Sequence, residues 1–388
     1  MRKLVTVLVL CGLVACDGGQ IAPHPRASAR SAASPSPVTA PTTPVPSPRV
    51  QQLPAITLIA DLSTRPTRWR PVAFVPFGDR TPQVGALLKK KFASVPIVPP
   101  SFAVGRDGSI WFLDLVKRRL AHFSATGAFL GAVPGLDFNR FDPYAQDIGF
   151  AGGRLYLLEF VHSTIETNLR AVIGHRIGPR RRVRTGEEEL VMSRLVSPQT
   201  AVIGRVIGSA GTNGQPPTGG GGTGDFQVDP SSGRAHRVPG FRLDDGTWLQ
   251  VAPELIREGQ TIVIHHLVRG EMTDRLIRVR VVPRLDGGMR IHSVVGWGPY
   301  CVLPHGTATY VHLSPSRAAD QDRYGGGQWL FEYFDDGQPL VWERLPDSPL
   351  DAAEIYRHLA EGLDGHLYLM LAERGGMRIY RRPGPPAH

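Results

Sequence analysis

Short apolar runs alternate with turns rich in Gly, Asp and Pro from about residue 55 to the end of the chain. Apolar residues do not recur with the 3.6-residue period of a helix over any long stretch of this region. Short apolar runs bounded by turn residues are typical of β-strands. The pattern therefore predicts an all-β domain over residues 55–388.

Comparison of the chain with itself reveals a repeat. Residues 102–113 and 359–370 carry Ala, Gly, Asp and Gly at matching positions, and 151–158 form a third, shorter copy. In each copy an Asp-Gly or Gly-Gly pair predicts a tight two-residue hairpin turn, because such turns need positive φ. The strand that follows is apolar on both faces, as expected for a sheet packed between two others.

The strand after the hairpin recurs as well, at 119–123, 329–334 and 378–380. Weaker copies of the hairpin lie at 245–249 and 306–311. These matches extend the repeat through the middle of the chain, where it is least regular.

Residues 102–131 resemble the NHL repeat, the blade unit of a six-bladed β-propeller. The resemblance is carried by the Asp-Gly hairpin, by the acidic Asp114 at the end of its strand, and by a basic residue, Arg118 or Arg119, before the next strand. Residues 359–380 share the pattern. The resemblance implies a β-propeller of six blades over residues 55–388, with seven blades as the alternative.

The spacing of the repeats fits this number. The span from Gly108 to Gly365 divides into five intervals of about fifty residues, somewhat above the usual blade length of roughly 40–45. Residues 351–361 also have the spacing of an amphipathic helix after a capping serine. The repeat alignment places residues 359–361 on a strand, which is the preferred interpretation.

The N-terminus has the features of a signal peptide over residues 1–15. The basic pair Arg2 and Lys3 precedes an apolar run that ends at Ala15, and Cys16 follows. The run is shorter than the roughly 20 residues that a membrane-spanning helix needs. The sequence Leu-Val-Ala-Cys resembles the bacterial lipobox, which implies cleavage before Cys16 and attachment of lipid, palmitate included, to that residue. An ordinary signal peptide and an uncleaved anchor are the alternatives.

Residues 16–54 are rich in Pro, Ser, Ala and Thr and show no apolar period. Such a composition cannot bury enough surface to offset the entropy lost on ordering, so it predicts a disordered, extended linker. Together with a lipid anchor of more than one acyl chain, which holds durably, the linker predicts a domain tethered to a membrane on its extracytoplasmic side, in the periplasm or at the cell surface. Which membrane carries it stays open.

The formal net charge is +10, and almost all of the positive charge is arginine. Such a charge attracts anionic lipid, acidic polymers or nucleic acid. Nucleic acid is not expected, because the chain is predicted to be exported and has no helix-turn-helix, zinc-finger or RRM signature. The densest basic stretch, residues 175–184, is followed by Glu187–Glu189, so it is interpreted as a hairpin neutralised by its neighbour. Contact with anionic lipid or acidic polymer is the alternative, for this stretch and for Lys89–Lys91.

The cysteines predict no disulfide in the mature chain. Cys11 lies in the signal peptide and Cys16 carries the lipid, which leaves Cys301 alone in an apolar run. Its expected state is a buried small hydrophobe.

No motif assigns a catalytic residue. The chain lacks H-E-x-x-H, G-x-S-x-G and C-x-x-C, and the glycine run Gly219–Gly222 lacks the lysine of a phosphate-binding loop. His265 and His266 are adjacent on a predicted strand, so they point to opposite faces and do not share a metal. No cofactor is expected beyond the lipid on Cys16, and a structural or catalytic metal is left open. The other histidines considered are scattered: His122, His162, His175, His292, His305, His312, His358 and His366.

Two functions are consistent with these observations. The first is a non-enzymatic, membrane-anchored scaffold that presents propeller loops to a protein or envelope-polymer partner. The alternative is an extracytoplasmic propeller enzyme, a metal-dependent hydrolase or lyase, with its site in the central channel. An enzyme would bring titratable side chains from several blades together at one mouth of that channel.

Overall fold

A computed structural model gives the structure of the protein, and every regular element that it describes is a strand. Cys16, residues 1–15, Lys89–Lys91, Glu187–Glu189 and Gly219–Gly222 lie outside the described residues. The described residues are 49–52, 56–61, 69–88, 96–136, 144–161, 164, 166–184, 193–195, 201–205, 225–238, 241–242, 248–256, 261–269, 273–284, 291–303, 306–315, 328–335, 338–346 and 358–382.

The first half of the chain contributes strands β1 (Arg49–Gln52), β2 (Ile56–Asp61), β3 (Arg70–Pro76), β4 (Phe102–Val104), β5 (Ile110–Asp114), β6 (Arg119–Phe123), β7 (Phe129–Pro134), β8 (Tyr144–Ala151), β9 (Arg154–Val161), β10 (Glu166–Ile173), β11 (Arg176–Ile177), β12 (Arg181–Arg182) and β13 (Ser193–Leu195). The second half contributes β14 (Ala201–Arg205), β15 (Asp225–Val228), β16 (Ala235–Val238), β17 (Phe241–Arg242), β18 (Trp248–Ile256), β19 (Thr261–Arg269), β20 (Thr273–Arg284), β21 (Ile291–Leu303), β22 (Gly306–Pro315), β23 (Gln328–Asp335), β24 (Gln338–Arg344), β25 (Leu359–Glu361), β26 (Leu367–Glu373) and β27 (Gly376–Arg381).

These strands form six sheets, each built around strands that are consecutive in the chain and antiparallel to one another. Two sheets gain strands from elsewhere: β3 joins β27, and β1 and β2 pair in parallel with β20. We name them sheet A (β4–β7), sheet B (β8–β12), sheet C (β13–β16), sheet D (β17–β20), sheet E (β21–β24) and sheet F (β25–β27 with β3). The all-β prediction is confirmed. Consecutive strands pair because short turns connect them, which is the simplest way to build an antiparallel sheet.

The sheets are arranged around a common centre. The first strands of sheets F, A, B and C contact one another in that order, and β21 of sheet E contacts β25 of sheet F and β18 of sheet D. This arrangement is a β-propeller, as the resemblance implied. The described sheets number six, and the blade count of the whole chain stays a prediction.

An N-terminal strand completes the last sheet. Strand β3 pairs antiparallel with β27, from Arg70 opposite Arg381 to Pro76 opposite Gly376. The pairing continues past the strand, where Phe77 N donates to the Gly375 carbonyl at 2.9 Å. Residues far apart in the sequence thus share one sheet, and the two ends of the domain are joined by backbone hydrogen bonds.

Apolar side chains fill the spaces between neighbouring sheets. One buried cluster joins sheets F and A and includes Val75, Phe102, Phe112 and Met370. A second joins sheets A and B through side chains such as Leu113 and Ile148, and a third joins sheets B and C. Strands of these sheets are therefore buried on both faces, which explains their nearly continuous apolar runs.

The repeated hairpins form where the sequence predicts them, but two of the turns differ from the prediction. Between β4 and β5, Gly105 N donates to Ser109 O at 2.8 Å and Gly108 N donates to Gly105 O at 3.0 Å, so the loop is longer than two residues. Only the glycine of the Asp-Gly pair has positive φ, at 77°. The Asp107 carboxylate instead accepts a hydrogen bond from Ser109 N at 3.0 Å, which favours this wider loop.

The turn between β25 and β26 repeats this loop, with Gly365 N bonded to Gly362 O at 2.9 Å and the Asp364 carboxylate bonded to His366 N at 3.1 Å. The Gly152-Gly153 turn between β8 and β9 is the two-residue type that was predicted, with φ of 54° and 76°. Residues 359–361 form β25, which confirms the strand interpretation over the helix there.

The end of the predicted linker differs from the prediction. Residues 49–52, within the range 16–54, form β1, which pairs in parallel with β20 from Arg49 opposite Thr273 onward. Strand β2 continues along the same edge, with Ile56 opposite Val279. The free edge of β20 supplies unpaired backbone groups that can order a segment whose side chains alone would not. Nowhere among the described residues is there a helix of the length and apolarity that crossing a membrane would require.

Candidate functional site

Two polar residues precede the first strands of sheets A and F at matching positions. The Ser101 carbonyl accepts a hydrogen bond from Leu113 N at 3.0 Å, and the His358 carbonyl accepts one from Met370 N at 2.8 Å. Leu113 and Met370 each lie five residues after the last glycine of their hairpin. Ser101 and His358 are therefore equivalent positions of the repeat, and both are buried.

Asp147 occupies this position in sheet B. It pairs with Leu158, which also lies five residues after the last glycine of its hairpin. Asp147 is fully buried. The three equivalent positions thus carry His, Ser and Asp at the start of three successive sheets, just before β25 and β4 and within β8.

The serine and the aspartate bond to each other across the boundary between sheets A and B. Ser101 Oγ donates to Asp147 Oδ1. The Ile148 backbone N donates to Asp147 Oδ1 at 2.9 Å and to Ser101 Oγ at 3.2 Å. A buried carboxylate is costly unless hydrogen bonds satisfy it. The two donors stabilise Oδ1, and the bond from Ser101 also fastens sheet A to sheet B.

A buried amide lies beside this network. The register of β8 on β9 shifts between Ala145 and Asp147, which leaves Gln146 as the extra residue of a β-bulge. The Gln146 side chain is 5% exposed, and its Oε1 has no hydrogen-bond partner among the described residues. An unpaired buried acceptor costs about 1–3 kcal/mol, so this oxygen is a place where a bound donor would be stabilising.

The acidic and basic residues that carried the repeat resemblance form an ion pair. The Asp114 carboxylate is fully buried and accepts from Arg119 Nε at 3.0 Å. It also accepts from Gly85 N at 3.1 Å and Lys117 N at 3.3 Å. Of the two basic candidates, Arg119 is the partner, because Arg118 is exposed and sits at a turn with φ of 55°.

Part of the basic stretch 175–184 is neutralised across its sheet. Arg180 Nε contacts Glu159 at 2.8 Å, and Arg182 contacts Glu166 at 2.8 Å. Glu159 lies on β9 and Glu166 on β10. Strand β10 pairs both with β12, which belongs to the basic stretch, and with β9. The sequence interpretation assigned neutralisation to Glu187–Glu189, which lie outside the described residues, so that assignment stays a prediction. Glu159 and Glu166 were not foreseen, since register between distant strands is not readable from adjacency.

Three other arginines at the same edge have no described partner. Arg181, Arg184 and Arg234 are exposed, and none of them forms an ion pair with a described residue. Arg184 and Arg234 are partners in a parallel bridge that joins the edge of sheet B to the start of β16 in sheet C. We call these three residues the arginine seam.

The histidines do not meet at one place within the described part of the chain. His122 stacks on Trp111 with ring centroids 3.9 Å apart, and burial lowers its pKa although the charge of Asp107 opposes the shift. His366 lies 3.3 Å from Asp364 at a hairpin, and His175 is exposed. In the described residues no three His, Cys, Asp or Glu side chains are placed to hold a metal ion.

The remaining candidates give less information. His265 and His266 are adjacent on β19, as predicted, and Cys301 and His312 lie on β21 and β22. His292 lies on β21, whereas His162 and His305 lie outside the described residues. Ser101, Gln146 and Asp147 were not singled out from the sequence. Extending the repeat alignment upstream of each hairpin gives Ser101 and His358, each seven residues before the last glycine, but in the third copy it gives Gln146 instead of Asp147, because that turn is one residue shorter.

No protein-family model matches the chain, and no curated protein matches it. Several solved structures are similar to it. A luciferin-regenerating enzyme is 10% identical with a TM-score of 0.39, over 73% of this chain and 91% of that one. Virginiamycin B lyase from Staphylococcus aureus is 8% identical with a TM-score of 0.31, over 73% and 79%. The Cps50 (Swd1) β-propeller domain from Myceliophteria thermophila is 9% identical with a TM-score of 0.32, over 72% and 82%.

Proposed function

We propose that the protein is a lipid-anchored extracytoplasmic scaffold, whose propeller binds a protein or envelope-polymer partner without chemical turnover. Lipid on Cys16 and the linker hold the propeller at the membrane, facing the periplasm or the cell surface. NHL-type blades make up the ring. The fold suits this task because the closing strand β3 joins both ends of the domain and leaves a rigid body on one tether.

The observation that carries the scaffold reading is the bond between Ser101 and Asp147. An enzyme needs polar groups that are positioned for a substrate. Here the carboxylate accepts bonds from Ser101 Oγ and from the Ile148 backbone, so these groups fasten sheet A to sheet B. Their described bonds are contributions to the fold, whereas the exposed arginine seam forms no ion pair with a described residue and can contact a partner.

Crosslinking in intact cells tests this proposal. A photoreactive amino acid replaces His236, which is exposed beside the arginine seam, or Arg106, which is exposed on a hairpin turn of sheet A. The full-length chain is irradiated and adducts are identified by mass spectrometry. We expect a discrete adduct from one surface and not from the other. Absence of adducts from both surfaces, with the protein at normal abundance, would contradict a binding role.

Gln146 favours the second candidate, a channel enzyme. Its buried Oε1 lacks a described partner, and His358 stands at the position equivalent to Ser101. The test is turnover of small esters, lactones and polysaccharides by the purified chain, with and without divalent metal. Activity that disappears in His358→Ala and persists in His366→Ala would support this candidate. Activity equal to that of a preparation without the protein would oppose it.

A further inference from the structure

The arginine seam places like charges against one another on a rigid frame. Arg184 N donates to Gly233 O, and Ala235 N donates to Arg184 O, each at 2.8 Å. These bonds make Arg184 and Arg234 direct neighbours across a bridge, where strands lie about 4.8 Å apart. Like charges directly opposite each other on paired strands are destabilising. The arrangement therefore carries a cost that a bound anion would relieve.

The described acid in the turn next to Arg234 forms no described ion pair with the seam. Asp229 lies in the turn that leads to Arg234, and its carboxylate accepts from Ser231 N at 2.8 Å and from the hydroxyls of Ser231 and Ser232 at 2.6 Å and 2.5 Å. Glu166 is engaged by Arg182. The described acids beside the seam thus have other partners, while the three guanidinium groups stay exposed.

The seam is built into the fold rather than carried on a free loop. Gly233 has φ of 75°, and a Cβ placed on it would lie 2.4 Å from the Arg182 carbonyl oxygen. Only glycine permits this close approach of the two chains. Arg181 is fixed on the other side by its pairing opposite Leu169. The three side chains thus project from two strands whose backbones are hydrogen bonded.

We propose that the arginine seam binds a linear anionic polymer of the envelope whose repeat units carry phosphate or carboxylate groups. This inference rests on the proposed binding role and names the class of partner. Guanidinium groups bind both oxyanions in a bidentate manner. Along an extended strand, Arg181 and Arg184 are about 10 Å apart and project to opposite faces, so a polymer that follows this edge can meet Arg181 from one face and the Arg184–Arg234 pair from the other. Several weak contacts on one polymer then act together.

A polymer fits this surface better than a bilayer does. Proteins that lie on membranes add apolar side chains to their basic residues. The large apolar side chains that are exposed in the described residues are Phe74, Leu88, Leu130 and Ile173, and none belongs to the seam. The seam residues also project to both faces of a sheet edge, which a flexible chain can follow more readily than a flat bilayer can.

Binding measurements on a matched pair of variants test the inference. The full chain carrying Cys16→Ser is titrated with long-chain polyphosphate, with polyglutamate, and with vesicles of phosphatidylglycerol and phosphatidylcholine. The seam variant is Arg181→Gln, Arg184→Gln and Arg234→Gln. The control is Arg106→Gln, Arg154→Gln and Arg374→Gln, which removes three exposed arginines in or directly after hairpin turns and gives the same net charge as the seam variant. Circular dichroism verifies that both variants are folded.

We expect at least one polymer to bind, with affinity at least tenfold lower in the seam variant and within twofold of the parent in the control. The slope of log affinity against log salt should fall by about two in the seam variant, because each charge on a flexible polyanion contributes roughly 0.7. Equal losses in both variants, binding to vesicles only, or no binding to either polymer would overturn the inference. If polymers fail to bind but cells still yield a protein adduct, the seam inference is wrong and the proposed function stands.

Discussion

Closure of the ring by β3 predicts that Gly376 tolerates no side chain. A Cβ on Gly376 would lie 2.3 Å from the Val75 carbonyl oxygen and 2.9 Å from the Pro76 Cα, both backbone atoms of β3. Ordinary contacts at this position are 3.4–4 Å, so β3 would have to move by about 1 Å. The φ of Gly376 is not positive, so the effect of an alanine is steric and comes from the neighbouring strand alone.

The loss of stability expected for Gly376→Ala follows from the contacts that a displacement of β3 would disturb. Overpacking a buried site costs typically 1–3 kcal/mol. The adjoining bond from Phe77 N to Gly375 O and one ladder bond are weakened as well, at about 1 kcal/mol each. Val75, which is fully buried between sheets F and A, moves with the strand. We expect a loss of about 4 kcal/mol in the free energy of unfolding and a decrease of about 10 °C in Tm.

Thermal and urea unfolding followed by circular dichroism measures this loss, and Gly131→Ala is its control. Gly131 lies on β7, its φ is not positive, and a Cβ there would meet nothing within 4 Å. Alanine at this position should be neutral or stabilising by up to about 1 kcal/mol, because glycine weakens a strand. Equal stability of Gly376→Ala and Gly131→Ala would show that β3 does not lie against β27, and the closed ring would then be wrong.

Three further predictions concern the buried polar groups and one surface turn. Asp114→Ala should lower the free energy of unfolding by about 3–5 kcal/mol, measured by chemical denaturation, because it leaves buried Arg119 without its partner. The control Asp107→Ala should lower it by less than about 1.5 kcal/mol, because Asp107 is exposed and holds only its own turn. Similar losses in the two variants would contradict a buried ion pair. Ser101→Ala should cost about 1.5–3 kcal/mol because Asp147 loses a donor. A loss no larger than that of Ser124→Ala, which removes only bonds within one half-buried turn, would refute the link between sheets A and B. Hydrogen bonds from Ser231 and Ser232 lower the pKa of Asp229 from 3.8 to about 2, so the contribution of this group to stability is present above pH 3.8 and is lost as the pH falls through 2. Carboxyl NMR titration should show the pKa of Asp229 rising toward 3.8 in the double variant Ser231→Ala/Ser232→Ala. An unchanged pKa would contradict the assignment of the shift to these hydrogen bonds.

The hairpins could be predicted because their determinants are local. Asp107-Gly108 and Asp364-Gly365 mark two of the turns, and the apolar runs that follow become β5 and β26. The shape of these turns was missed because the aspartate uses its carboxylate to bind the backbone two residues later. Aspartate side chains are known to form such bonds, which compete with the two-residue turn. The dipeptide Asp-Gly alone does not determine which of the two turn conformations forms.

Contacts between distant parts of the chain could not be predicted. Nothing in the composition of residues 49–52 indicates that the edge of β20 would order them. The same holds for β3, whose role as the closing strand depends on where β27 ends, and for Arg180, whose partner Glu159 is reached across the sheet. Register and closure depend on the whole ring, whereas the repeat pattern contains only the local part of that information.

Of the candidate sites, Cys16 and the basic stretch could be proposed from the sequence, whereas the equivalence of Ser101, Asp147 and His358 could not. Each of these three residues is unremarkable in its own segment. They become related only when the hairpins are superimposed and the pairing partner of each is counted from its glycine. The arginine seam could not be predicted from the repeat either, because Arg234 and Arg184 become neighbours only through a bridge between two sheets.

Metabolic labelling with radioactive palmitate tests the anchored scaffold most directly. Cells producing the parent chain or Cys16→Ser are labelled, separated into membrane and soluble fractions, and probed for the protein. The parent should carry label, run at the size expected after removal of residues 1–15, and remain with the membrane. Cys16→Ser should carry no label and should differ from the parent in processing and in fraction. A variant that is labelled and stays with the membrane like the parent would contradict lipid attachment at Cys16.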